Sequence, residues 1–123
     1  MITQRIIINE REIPLLFDLA ALAEITDQIG EMSDFGEMFK GHKRVKNTIK
    51  LIVILGNEGL EVSGQKPDLT EKFVGRHLHP SELMTAQMAC INAVTDGMRV
   101  ETKQDEDKPR DLTLEEIEKK STP

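Results

Sequence analysis

Three histidines, one cysteine and a scatter of serines and carboxylates are the residues of this chain equipped for chemistry. His77 and His79 stand one residue apart in "VGRHLHP" at 74–80, beside Pro80. A histidine pair suits a metal centre or a proton shuttle. On a helix, however, side chains at i and i+2 point in different directions, so a metal grip here needs a strand or an irregular turn. A third ligand would have to come from His42 or a carboxylate, and no HExxH, CxxC or facial-triad spacing occurs. A helix–turn–helix junction explains the pair more simply: His77 lies at one helix C-terminus and His79 precedes the proline that opens the next helix. Cys90 falls on an apolar stripe and reads as a small core residue. Ser33, Ser63 and Ser81 sit at caps or loops, and "VSGQ" is not a nucleophile elbow. The glycines of "LGNEGLEVSG" are too loosely spaced for a phosphate loop. These residues predict no catalytic residue, no metal site and no cofactor, hence a protein that is not an enzyme.

Two other groups read as binding surface. Lys43, Lys46 and Lys50 recur along one side of a helix, with Arg44 and Asn47 beside them. Cations at a helix N-terminus oppose the macrodipole by about 0.3 kcal/mol or more each. A solvated face balanced by nearby Asp and Glu is the plain explanation; a site for an acidic partner is the sharper one. Six methionines against four phenylalanines, with no Trp or Tyr, give an adaptable apolar inventory. Met84, Met88 and Met98 lie close together around one helix, as core packing or as a groove for partner helices.

The elements that must position these residues are mostly helical. At 123 residues the chain is one domain with one core. A 38% hydrophobic, 31% charged composition fits a soluble globular body. The −6 net charge and scarce aromatics argue against nucleic-acid binding. The lone cysteine suits a reducing compartment, and no apolar run approaches the roughly 20 residues of a membrane span, so a cytoplasmic setting is expected with no membrane partner. Ile6–Ile8 and the alternating Ile13, Leu15 and Phe17 predict a β-hairpin around the polar turn "NERE", with Pro14 making the second strand an edge or very short. Asp18 caps a helix whose Leu22, Ile25 and Ile29 share a face and whose stop is Gly30. Ser33 caps a short helix holding Phe35, Met38 and Phe39, ended by Gly41. The apolar "IKLIVIL" suits a strand or a helix; Val45, Ile49 and Ile52, in register with the upstream "HKRVKNT", favour a helix over 43–57. "GNEGLEVSGQKPD" then reads as a loop. Asp68 with Glu71, or Thr70 alone, caps a helix carrying Phe73, Val74 and Leu78. Pro80 opens a longer helix to about Asp96, apolar around more than half its circumference. The predicted architecture is mainly α: a hairpin and a compact bundle of about five helices over 1–100, then a charged flexible tail over 101–123. A short helix is expected in that tail, at "LTLEEIEKK", with Thr113 and Glu116 as a capping box.

The order "IIINEREIPLLF", "DLAALAEITDQIG", "NTIKLIVILGNEGL", followed by an acidic tail, resembles the tail assembly chaperones of long-tailed bacteriophages and prophages of Gram-positive hosts. The resemblance covers roughly residues 5–98, and its motifs are structural. The "NE" turn departs from an expected Asn-Gly type pair. The resemblance implies a non-enzymatic protein of the host cytoplasm that coats the tape measure protein and helps recruit tail tube subunits during virion assembly. It also implies a longer form made by a ribosomal frameshift, for which codons 119 and 120, a Lys-Lys pair, are the expected slippery site. A homo-oligomer is compatible with this reading. The alternative is another small phage or bacterial structural or regulatory protein, of the tail-completion or adaptor type. The sites implied for partners are Met84, Met88, Met98, Lys43, Lys46 and Lys50.

Overall fold

The computed structural model describes residues 2–107. It opens with an antiparallel hairpin in which β1 (Gln4–Ile8) pairs with β2 (Arg11–Leu15), Ile8 opposite Arg11 and Gln4 opposite Leu15. Asn9 and Glu10 form the turn at φ 53° and 67°. Two consecutive left-handed residues match the twist of a tight hairpin. Asn tolerates that conformation; for Glu10 it costs about 1–2 kcal/mol. Ile6, Ile8, Ile13 and Leu15 enter the core from one face, while Arg5, Ile7 and Glu12 are exposed on the other. Pro14 lies opposite Arg5, three pairs from the ladder-bonded Ile8–Arg11 closure and next to the ladder-bonded Ile6–Ile13 pair. At such a wide pair the backbone groups point outward, so its missing N–H breaks no ladder bond.

Asp18 caps α1 (Leu19–Gln28): its carboxylate accepts from the Ala21 N–H at 3.0 Å. Ala21 and Ile25 are buried, and Ile29 packs on the core at the helix end. The helix expected from Ser33 to Gly41 is instead a pair of 3-10 turns, Met32–Asp34 and Glu37–Phe39, and Gly41 opens a third, Gly41–Lys43. Gly36 interrupts a segment too short to sustain an α-helix alone. Its apolar residues still dock: Met38 and Phe39 are buried, and Phe35 meets Phe39 edge-on at 5.1 Å. Among the described residues the expected bundle of about five helices is four α-helices, with 3-10 turns at the first and third of their three junctions.

Helix α2 (Arg44–Val62) is the central element, with Leu51, Ile52, Leu55 and Leu60 fully buried. It runs through the "GNEG" expected to start a loop. A Cβ on Gly56 would meet Leu69 Cδ1 at 2.5 Å, and one on Gly59 would meet the Pro14 carbonyl oxygen at 2.2 Å. Gly56 makes room for the Leu69 and Ile13 side chains and Gly59 for the backbone of β2; neither ends the helix. The stop is Gly64, at φ 81°. Gln65 N–H donates to Leu60 O at 2.8 Å and Gly64 N–H to Glu61 O at 3.1 Å. This is the paired closure of a left-handed C-terminal cap. Asn57 then fastens the following loop, giving its Nδ2 to Leu69 O at 3.1 Å and accepting from Leu69 N–H at 2.9 Å.

Helix α3 (Glu71–His77) is capped by Thr70, whose hydroxyl accepts from Phe73 N–H at 3.0 Å. A 3-10 turn, Pro80–Glu82, leads into α4 (Leu83–Asp107). The helix expected to end near Asp96 thus continues to Asp107, and the charged segment expected to be flexible from 101 begins as helix. Charged, straight-chain residues are good helix formers, so polarity alone did not mark a boundary. The tail helix and its Thr113–Glu116 box lie outside the described residues. Ala86, Cys90, Ala93 and Val94 of α4 are buried in the core. A Cβ on Gly97 would meet Phe17 O at 2.6 Å, and Gln4 donates to Asp96 at 3.3 Å, so α4 closes the domain over the hairpin.

Candidate partner-binding surface

The "RHLHP" histidines belong to the helix junction. His77 ends α3, its ring 4.6 Å from that of Phe73. His79 caps the Pro80–Glu82 turn: its Nδ1 lies 2.9 Å from Ser81 Oγ, and its N–H donates to Glu82 Oε1 at 3.1 Å. Among the described residues, no three His, Cys, Asp or Glu side chains cluster as a metal site. Cys90 is fully buried, and burial pushes its thiol pKa up, away from a reactive thiolate. No helix among the described residues is long and apolar enough to cross a membrane.

The methionines lie on the surface. Met84 is 53% exposed, Met88 47% and Met98 45%. At 3.6 residues per turn the three fall within an arc of about 80° on α4. Ile91, half-buried, and Thr95, exposed, fill the same stripe. The positions 84, 88, 91, 95 and 98 alternate steps of four and three, the spacing of a seam that packs on another helix. Wide apolar coverage of this helix thus divides into two sides: Ala86, Cys90, Ala93 and Val94 face the core, and the methionine seam faces away. Arg44 flanks one end of the seam, donating to Met84 Sδ and, at 3.1 Å, to Gln87 Oε1; Arg99 flanks the other and pairs with Asp96 at 3.6 Å.

The lysines are not one patch with the methionines. Lys43 and Lys46 are exposed near the start of α2, but Lys50 is half-buried and pairs with Glu71 at 3.4 Å, joining α2 to α3. On α2 the direction toward α4 is taken by Arg44 and the buried Thr48, which both reach Gln87. The chain matches no known protein family, and no curated protein or solved structure matches it.

Two features stand outside what the sequence led one to expect. Glu58 of α2 is hydrogen-bonded to the Asp18 carboxylate, and this contact, with desolvation and the charges of Asp18 and Glu61, raises its pKa to about 7. The partners are 40 residues apart in sequence, so only the fold reveals them. Ile7, between two buried isoleucines, is 65% exposed; strict alternation from Ile6 and Ile8 was the available clue.

Proposed function

We propose that this chain is a non-enzymatic binding protein of the phage tail assembly chaperone type, which holds an apolar helical segment of the tape measure protein against the methionine seam of α4. The exposure of Met84, Met88 and Met98 along one stripe is the observation that supports this reading. A flexible thioether seam can repack against successive, non-identical client turns. The sequence resemblance supplies the client and the second role, recruitment of tail tube subunits.

Co-expression with the tape measure protein of the same phage tests the reading. The expected result is a soluble complex, weakened at least about tenfold by Met88→Asp, since a charge in an apolar seam must be desolvated. The α4 core positions are untouched, so the variant should melt like the parent. Normal folding with unchanged binding would move the client site elsewhere. No complex with the parent chain would refute the chaperone assignment and favour the adaptor-type alternative.

A further inference from the structure

The hairpin has two outer edges, and only one is closed. On β2, Pro14 offers no N–H, its carbonyl oxygen abuts Gly59, and Leu16 N–H donates to Leu55 O of α2 at 3.1 Å. β1 is different. Its two-residue turn makes Ile8–Arg11, Ile6–Ile13 and Gln4–Leu15 the ladder-bonded pairs. The N–H and C=O of Arg5 and Ile7 consequently point away from β2, and among the described residues no backbone group outside the hairpin takes them. Beside this edge lies a cleft of about 420 Å³ between β1 and α4, lined by Ile7, Leu78, Thr85, Ala86 and Ala89. Small α4 side chains leave the room. The surroundings are acidic: Glu10, Glu12 and Glu82 are exposed, against Arg5, which meets Glu12 at 3.7 Å.

We infer that the open edge of β1 docks an extended segment of a partner protein, which joins the hairpin as a third strand. Its main chain bonds to Arg5 and Ile7, alternate small apolar side chains enter the cleft, and a lysine or arginine meets Glu12 or Glu82. A second copy of this chain is a poor occupant. It would bring the same acidic rim, and a five-residue strand pairing falls well short of the roughly 1,200 Å² of a stable interface. This surface is separate from the methionine seam and does not depend on the chaperone reading.

Ile7→Pro is the diagnostic variant. Its N–H points outward, as that of residue 14 would, so proline removes the edge donor and no ladder bond. A displayed library of short random peptides is selected on the parent chain and counter-selected on Ile7→Pro. Enrichment of alternating apolar peptides with a basic residue is expected. A synthetic copy of an enriched peptide should slow exchange of the Arg5 and Ile7 amides roughly tenfold, with Met88→Asp binding it like the parent. Absence of enrichment, or equal binding to Ile7→Pro, overturns the proposal. Should Ile7→Pro not fold, exchange in the parent decides: without peptide, Ile6 and Ile8 must be protected while Arg5 and Ile7 are not, and selected peptides must protect the latter two. Any other pattern overturns the proposal as well.

Discussion

Gly59→Ala and Gly75→Ala are the same chemical change in two helix interiors, and the packing predicts opposite signs. Alanine is favoured over glycine in a helix by about 1 kcal/mol. At Gly75 nothing opposes that gain, because the nearest atom to an added Cβ is Ile49 Cδ1 at 3.9 Å, an ordinary contact. The expected effect is stabilisation by about 0.5–1 kcal/mol. At Gly59 the new carbon would sit 2.2 Å from Pro14 O, 2.6 Å from Pro14 C and 3.2 Å from Leu15 N, all backbone atoms. No rotamer relieves this; β2 must retreat from α2 by about 1 Å, straining the Leu16–Leu55 bond and the packing of Ile13 and Leu15. Overpacking of this kind costs about 1–3 kcal/mol, and rigid backbone on both sides puts the cost at the upper end. After subtracting the propensity gain, Gly59→Ala should destabilise by about 2 kcal/mol, or roughly 8–16 °C in Tm. Urea titrations of both variants, with m-values checked against the parent, give the comparison. A Gly59→Ala variant as stable as Gly75→Ala would refute the close-approach explanation.

Other outcomes follow from local features. Glu58 has its pKa raised to about 7 from 4.5. Its contribution is complete below about pH 4.5 and is lost as pH rises through about 7. A dry site would make this roughly 3 kcal/mol, and solvent access to a half-exposed side chain leaves about 1 kcal/mol. Glu58→Gln should flatten the stability profile across that window; an unchanged slope counts against the Asp18 contact. At lower pH the trend reverses, because Arg11 beside Asp68, and Thr3 and Gln4 beside Asp96, hold those carboxyls below the usual 3.8. Glu10→Gly should stabilise the domain by about 0.5–1 kcal/mol by relieving a left-handed residue. Calorimetry showing a loss would mean the Glu10 side chain has a compensating role. Asn57→Ala should cost about 1–3 kcal/mol by leaving the N–H and C=O of Leu69 without their partner; a neutral result would show that water replaces it.

The local parts of the fold were legible in sequence because local chemistry determines them. Asp18 and Thr70 act as caps, Pro80 opens a turn, and "IKLIVIL" is helical because the residues before it keep the same register. The misreadings share one cause: a residue's meaning was set by a distant neighbour. Gly56 and Gly59 resembled loop punctuation, but β2 comes close to α2 at both; Gly64, with no close neighbour, does what glycines were expected to do. Alternation placed Ile13 and Leu15 correctly, yet which hairpin edge stays open depended on Pro14 meeting α2. Of the candidate surface, spacing grouped Met84, Met88 and Met98 on one helix but left core packing and an outer groove both open, and only the fold shows them exposed; the grouping of Lys50 with Lys43 and Lys46 overlooked Glu71 across the α2–α3 contact.

Thr3 and Gln4 both reach Asp96, the former across 93 positions of sequence. Closing a loop that long costs about 4 kcal/mol of chain entropy before any contact rewards it. The hairpin, α1 and α2 are joined by contacts nearer in sequence, so α4 is the segment that docks against this entropic cost. Until it does, Ile6 and Ile8 lack part of their cover, and the core side of α4 is as exposed as its methionine side. An amphipathic helix of this kind then has two apolar faces and competes with itself for the core. Gly97 resolves that competition: only one rotation of the helix presents hydrogen to Phe17, and that rotation leaves the methionines outside.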